Sequence, residues 1–180
     1  MNKLLKHKLF INNRKISYIM LKNILGITNE VELSKEERIT KLKALELFDS
    51  NKINEIEVGT FERLSKIHNF LFKDIYEFAG KIRTDNIAKG NFRFASVLYL
   101  KDILRRINEM PQNTYDEIIE KYVEMNVAHP FCEGNGRSTR IWLDMILKKE
   151  LNKIIDWSKI NKEEYLLVMK RSPARDTNKN

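Results

Sequence analysis

The residues most able to do chemistry lie together, in the segment HPFCEGNGRSTR from His129 to Arg140. Gly134 and Gly136 flank Asn135 just ahead of a stretch with helical spacing. Backbone N–H groups can therefore converge on one point, with the positive end of a helix behind them. Such a point holds an anion. Arg137 and Arg140 are three apart, hence on one helix face, and both can reach the same anion, which suits a polyphosphate. Glu133 adds one carboxylate beside those phosphates, and that implies a divalent cation between them, inferred as Mg2+. His129 enters from the other side of the loop. With a reference pKa of about 6.5 it can take a proton from a hydroxyl near neutral pH. A base beside a polyphosphate is arranged for in-line attack of an activated hydroxyl on phosphorus.

These groups need two helices to position them. Thr114 with Glu117 forms a capping box, and Tyr115, Ile118, Ile119, Tyr122 and Met125 give the helix behind it an apolar stripe. Pro130 disfavours helical geometry at the residue before it, so that helix ends at His129. From about Asn135, helical spacing resumes through Ile141, Trp142, Met145 and Ile146. Elsewhere, Ser34 and Glu37 suggest a capped helix over about 35–49, with Ile39, Leu42, Leu45 and Leu47 near one face. The run from Thr60 to Ala79 reads as the longest buried helix, with His68 on its apolar stripe as a packing residue and Gly80 as its left-handed cap. Ser96 opens another helix that Pro111 closes. Asn161 with Glu164 suggests a last one to about Arg171, before a polar tail over 172–180. The stretch KIRTDNIAKGNFRFA lacks helical period. Ile82–Thr84 and Asn91–Phe94 read there as two short strands of a hairpin.

The 180 residues suit one domain, with 42% apolar and 32% charged residues, a balance that excludes a disordered or fibrous chain. Six Gly and three Pro favour a helix-rich architecture over an all-β sandwich. The charge of +8 is uneven, with Lys3, Lys6, Lys8, Arg14, Lys15 and Lys22 all ahead of the first acid, Glu30. This reads as a basic arm, either solvated or placed against nucleic acid or an acidic partner. Cys132 is the single cysteine and forms no internal disulfide. With no secretory signal and no apolar run long enough for a bilayer, a cytoplasmic location and no membrane partner are expected.

The loop resembles the signature of the Fic family, H-P-F-x-(D/E)-G-N-G-R-x-x-R, and matches it at every specified position. SYIMLKNILGI, IHNFLFKDIYEFAGKIR, NIAKGNFRF and IDWSKINKEEYLLVMKRSP are also similar to core segments of that family, so the resemblance covers most of the chain. It implies an all-α fold: a single Fic domain over 1–180, with a helical bundle core, a short β-hairpin flap at about 82–94 and an active-site loop at 129–137. The implied activity is transfer of AMP from ATP to a Ser, Thr or Tyr hydroxyl of a protein, with release of pyrophosphate. His129 would be the base and Glu133 the Mg2+ ligand. Gly134, Asn135 and Gly136 would form the anion hole, Arg137 and Arg140 would hold the β- and γ-phosphates, and Phe131 would anchor the loop. The target protein would dock on the flap by strand addition. Cys132 fills the unspecified position. Relatives with ANK in place of GNG phosphorylate, so GNG favours AMP transfer.

Many members are silenced by a helix carrying (S/T)-x-x-x-E-(G/N), whose Glu pairs with the second motif Arg. No such string occurs in the 180 residues. The chain ends at Asn180, ahead of where relatives with a C-terminal copy carry it. The expectation is therefore a truncated chain, a brake supplied in trans by a small antitoxin-like protein, or no brake, with the chain as it stands active. Some short relatives modify the ATPase subunits of DNA gyrase and topoisomerase IV, which makes a toxin acting on them the first candidate function. Members also form dimers and larger homo-oligomers. The alternative reading is a basic nucleotide- or nucleic-acid-binding module without turnover.

Overall fold

The computed structural model describes residues 8–12, 15–19, 21–49, 55–89 and 92–161. Their five helices are α1 (Glu30–Asp49), α2 (Phe61–Phe72), α3 (Val97–Glu109), α4 (Tyr115–Ala128) and α5 (Asn135–Leu151), followed by a 3-10 turn at Trp157–Lys159. None of the helices is long and apolar enough to cross a membrane.

The helices that carry the loop follow their local signals. Thr114 Oγ1 accepts from Glu117 N at 3.3 Å and Glu117 Oε2 accepts from Thr114 N at 3.0 Å, closing the capping box of α4. Ser96 caps α3 through Leu98 N, and that helix stops at Met110, before Pro111. Packing is shared among α2, α4 and α5. Leu64, Ile67, Met125, Trp142 and Ile146 are fully buried there, each such side chain contributing about 1.5–3 kcal/mol of transfer free energy. The Trp142 indole also donates to Thr60 O at 2.9 Å, tying α5 to the start of α2.

Two helices depart from expectation. α1 begins at Glu30, because Asn29 Oδ1 accepts from Val31 N at 2.8 Å and Glu32 N at 3.3 Å and so caps the chain before Ser34 can. Of its expected apolar face only Leu47 is buried; Ile39, Leu42 and Leu45 are exposed, and the buried stripe is Leu33, Glu37, Thr40 and Leu47. Glu37 and Thr40 are tolerated inside because both are hydrogen-bonded to Arg137. α2 ends at Phe72 and is shorter than α1 and α5. Ile75 N and Tyr76 N both bond Phe72 O at 2.9 Å. The chain then folds back so that Asn69 Nδ2 donates to Ala79 O at 3.0 Å and Gly80 N donates to His68 Nδ1 at 2.8 Å. Gly80 has the left-handed φ of +76° the sequence suggested, at the end of this return and not of a helix.

The flap hairpin is present but shifted, with β3 at Asn86–Lys89 and β4 at Phe92–Arg93. Residues 82–84 are not a strand; Arg83 points inward and is buried. The described part of the basic N-terminal segment is not an arm. It forms β1 (Lys8–Asn12) and β2 (Lys15–Ile19), and the four strands make one antiparallel sheet in the order β2-β1-β3-β4. β1 pairs β3 with Leu9 opposite Ala88, Phe10 opposite Ile87 and Ile11 opposite Asn86. A two-stranded hairpin is marginal alone, and this pairing extends it. It also covers one edge of β3, so among the described strands the outer edges of the sheet belong to β2 and β4. The helix expected from Asn161 to about Arg171 and the tail after it lie outside the described residues, apart from Asn161 itself.

Candidate active site

His129 is the C-cap of α4, with φ 48° and ψ 62°. A left-handed conformation costs a non-glycine residue about 1–2 kcal/mol, and it is adopted here because Pro130 closes the right-handed helical region to the residue before it. The half-buried imidazole stacks on Phe94, the residue that leaves the flap after β4, with ring centroids 3.6 Å apart at 18°. The backbone carbonyl of His129 accepts from Arg83 Nε at 2.8 Å.

The turn between α4 and α5 is fastened from inside. Phe131 is fully buried and stacks on His68 with centroids 3.8 Å apart. The Asn135 side chain accepts from Phe131 N at 2.9 Å and donates to Phe131 O at 2.7 Å, closing the turn on itself. His68 is a packing residue, as its place on the apolar stripe suggested, and it is also a strut. Its Nδ1 accepts from Gly80 N, so Nε2 carries the proton and donates to Glu133 O at 2.7 Å. Gly134 has φ +77°, and a Cβ there would lie 2.5 Å from Phe72 Cζ and 3.1 Å from His68 Nε2. Only glycine fits.

The first bond of the α5 ladder is Ser138 N to Gly134 O at 3.1 Å, so the amides of Asn135, Gly136 and Arg137 precede the ladder, at the positive end of the helix. Glu133 Oε1 accepts from Gly134 N at 3.0 Å beside them. Arg137 turns toward α1. Its Nη2 donates to Glu37 Oε2 at 2.9 Å, its Nη1 to Glu37 O and Thr40 Oγ1 at 3.2 Å each, and its guanidinium lies 4.6 Å over the Phe72 ring. The Tyr76 hydroxyl donates to Glu37 Oε1 at 2.8 Å; burial first, and then the Glu37 charge, push its ionisation far up, so it remains a donor. Arg140 is exposed and sits 5.5 Å over the Trp157 ring. The Trp157 indole donates to Asp144 Oδ2 at 2.8 Å, and burial raises the pKa of that carboxyl despite its bonds from Trp157 and Ile155. Cys132 is half-buried.

Among the described residues no group of three or more His, Cys, Asp or Glu side chains could hold a metal by itself. Within the loop, Glu133 offers a half-exposed carboxylate. That donor set fits a hard cation completing its shell with phosphate oxygens and water, and does not fit an all-protein metal site.

The structure thus brings His129, Glu133, Gly134, Asn135, Gly136, Arg137 and Arg140 onto one turn and the helix that follows it. Asn135 has its backbone amide ahead of the ladder and its side chain spent on the turn. Sequence reasoning did not assign Glu37, Arg83, His68, Phe94 or Trp157 to this neighbourhood. The available signals were buried polar types inside otherwise apolar or extended stretches, such as Arg83 in KIRTD.

Residues 59–147 match the Fic/DOC family. The chain is 30% identical over 156 residues to protein adenylyltransferase VbhT of Bartonella schoenbuchensis, covering 79% of this chain and 31% of that protein's length. It is 28% identical over 171 residues to the probable protein adenylyltransferase y4lH of Sinorhizobium fredii, covering 87% of this chain and 85% of that one. Two Bartonella crystal structures share the fold. The N-terminal Fic domain of an effector from Bartonella sp. AR 15-3 matches with TM-score 0.73 at 21% identity, covering 88% of this chain and 81% of the other. BepC of Bartonella tribocorum, with bound AMPPNP, matches with TM-score 0.67 at 19% identity, covering 87% of each.

Proposed function

Because the chain belongs to the Fic/DOC family, we propose that its loop transfers AMP from ATP to a hydroxyl group of a protein and releases pyrophosphate. One observation carries this reading: the His129 imidazole at the end of α4 and the unladdered amides at the start of α5 are joined by one fastened turn. The turn holds a base and an anion cradle at a set spacing.

A target hydroxyl gives its proton to the His129 ring, and its oxygen attacks the α-phosphorus. The new O–P bond forms as the bond from that phosphorus to the bridging oxygen breaks, and pyrophosphate leaves with the electron pair. The amides of Asn135, Gly136 and Arg137 receive the phosphate charge. Arg140 holds the outer phosphates from the exposed side. Arg137 comes to them with its charge already partnered by Glu37. Glu133 would hold Mg2+, which offsets phosphate charge when bound.

The protein target docks on the flap sheet, at an edge other than the one β1 covers. The ATPase subunits of DNA gyrase and topoisomerase IV are the first targets to assay, and a cytoplasmic setting fits them. The alternative, a basic nucleotide- or nucleic-acid-binding module without turnover, would keep its binding in His129→Ala.

Incubation with α-labelled ATP, Mg2+ and cell lysate, then with the purified candidate subunits, tests the proposal. Label on a protein band that disappears with His129→Ala is the expected result. Bound ATP with no labelled band at any target concentration would refute it.

A further inference from the structure

Three consecutive backbone carbonyls at the end of α4, those of Ala128, His129 and Pro130, are all captured by one residue. Arg83 Nη2 donates to Ala128 O at 3.2 Å, Arg83 Nε to His129 O at 2.8 Å, and Arg83 N to Pro130 O at 2.8 Å. The same guanidinium reaches the base of the flap, where Nη1 donates to Asp85 O at 2.7 Å and Nη2 to Ala95 O at 2.5 Å. Ala95 N in turn donates to Val127 O at 3.2 Å. Ala95 follows Phe94, whose ring stacks on the His129 imidazole.

A buried cation whose side-chain bonds all go to carbonyls is an unusual use of arginine, which commonly pairs with a carboxylate or phosphate. Here the five N–H groups of the planar fork suit acceptors on three segments at once. The last carbonyls of a helix are unmatched and carry negative partial charge, so a cation is well placed among them. The strained backbone of His129 and the aromatic ring against its imidazole are both held through this one side chain.

We propose that Arg83 is a positioning residue for the transfer reaction, fixing the His129 imidazole through its backbone and through Phe94, and so tying the flap to the base. The inference rests on His129 acting as the base of the proposed AMP transfer. Arg83 is buried and its side-chain bonds go to backbone carbonyls, so its role is positioning. A Lys ammonium keeps the charge but is a point donor and cannot span the flap base and the helix end together.

The test compares Arg83→Met and Arg83→Lys with Lys121→Met. Lys121 is buried and donates to the carbonyls of Asn108 and Met110 away from the loop, so it controls for lost stability. Each variant is assayed for kcat, KM for ATP, ATP binding by calorimetry, and the His129 ring resonances of 15N-histidine-labelled protein across pH. Arg83→Met is expected to lower kcat about 100-fold, the scale of a small misplacement of a reacting group. Arg83→Lys should recover part of that loss, with ATP binding little changed and the His129 titration displaced in both. Lys121→Met should lower Tm and leave kcat and the ring resonances alone. Unchanged kcat and unchanged His129 resonances in Arg83→Met, with only Tm reduced, would overturn the inference. If Arg83→Met does not fold, Arg83→Lys decides by the same readouts. If the unsubstituted protein transfers no AMP, the proposed function fails, and the His129 resonances still judge the positioning role.

Discussion

The two glycines of the loop should respond in opposite ways to the same substitution. Gly134 has φ +77°, a region that costs an alanine about 1–2 kcal/mol. Its new Cβ would also stand 2.5 Å from Phe72 Cζ, inside a fully buried ring that cannot swing into solvent. Overpacking of this kind adds about 1–3 kcal/mol. Gly134→Ala is therefore expected to destabilise by about 2–5 kcal/mol and to disturb the seat of Arg137, which lies over the same ring. Gly136 is helical, and a Cβ there meets nothing closer than Arg140 Nη2 at 3.6 Å, an ordinary contact. Gly136→Ala should fold and gain stability, up to about 1 kcal/mol from the reduced freedom of the unfolded chain. Its methyl group, however, would lie 3.6 Å from Arg140 Nη2, beside the guanidinium expected to hold the phosphates. ATP affinity should fall at least about tenfold, a cost near 1.4 kcal/mol. Urea unfolding and calorimetric ATP titration on the two variants measure both effects. A Gly136→Ala protein that binds ATP and transfers AMP as the parent does would refute the cradle. A Gly134→Ala protein of parental stability would refute the packing argument.

Glu37→Ala removes both oxygens that hold Arg137 Nη2 and the Tyr76 hydroxyl. Stability should fall by about 2 kcal/mol in urea titration, near the low end for hydrogen bonds to charged groups, because the Arg137 side chain keeps 30% exposure; a change under about 0.5 kcal/mol would contradict a structural pair. Asp144 has its pKa raised by burial, so the folded state binds the proton more tightly than the unfolded state. Its contribution is present below the ordinary carboxylate pKa of about 3.9 and is lost as pH rises through the raised value. Melting scans should show the Tm of Asp144→Asn gaining on the parent as pH increases across that window, and a widening deficit would be the wrong sign.

What could be read from the chain alone was what is local. The caps at Ser96 and Thr114, the stop at Pro111 and the break at Pro130 each act within four residues, and the structure repeats them. The loop was legible because its chemistry is packed into consecutive positions. What escaped depends on partners distant in sequence. Glu37 is buried on α1 because Arg137, a hundred residues later, meets it, so a helix that looks amphipathic one way by hydrophobicity turns the other way. Arg83 reads as a strand residue until the carbonyls at 128 and 129 are brought to it. The basic N-terminal segment reads as an arm until its strand finds β3, an antiparallel pairing that no local turn signal announces.

The loop divides by burial into two sets of residues. Pro130, Phe131, Gly134, Asn135, Ser138 and Thr139 are buried, whereas His129, Cys132, Glu133, Gly136, Arg137 and Arg140 retain surface. The second set contains the base, the carboxylate, the glycine with room beside it and both guanidinium groups. The first contains the stacked phenylalanine, the glycine without room and the asparagine that closes the turn. A loop selected only for chemistry would not hold its base at a strained φ unless something fixed it there. Substitutions in the buried set should therefore lose stability first and activity in consequence. Substitutions in the second set should separate the two, and that separation is what distinguishes an anion-binding catalytic turn from a well-packed connection between helices.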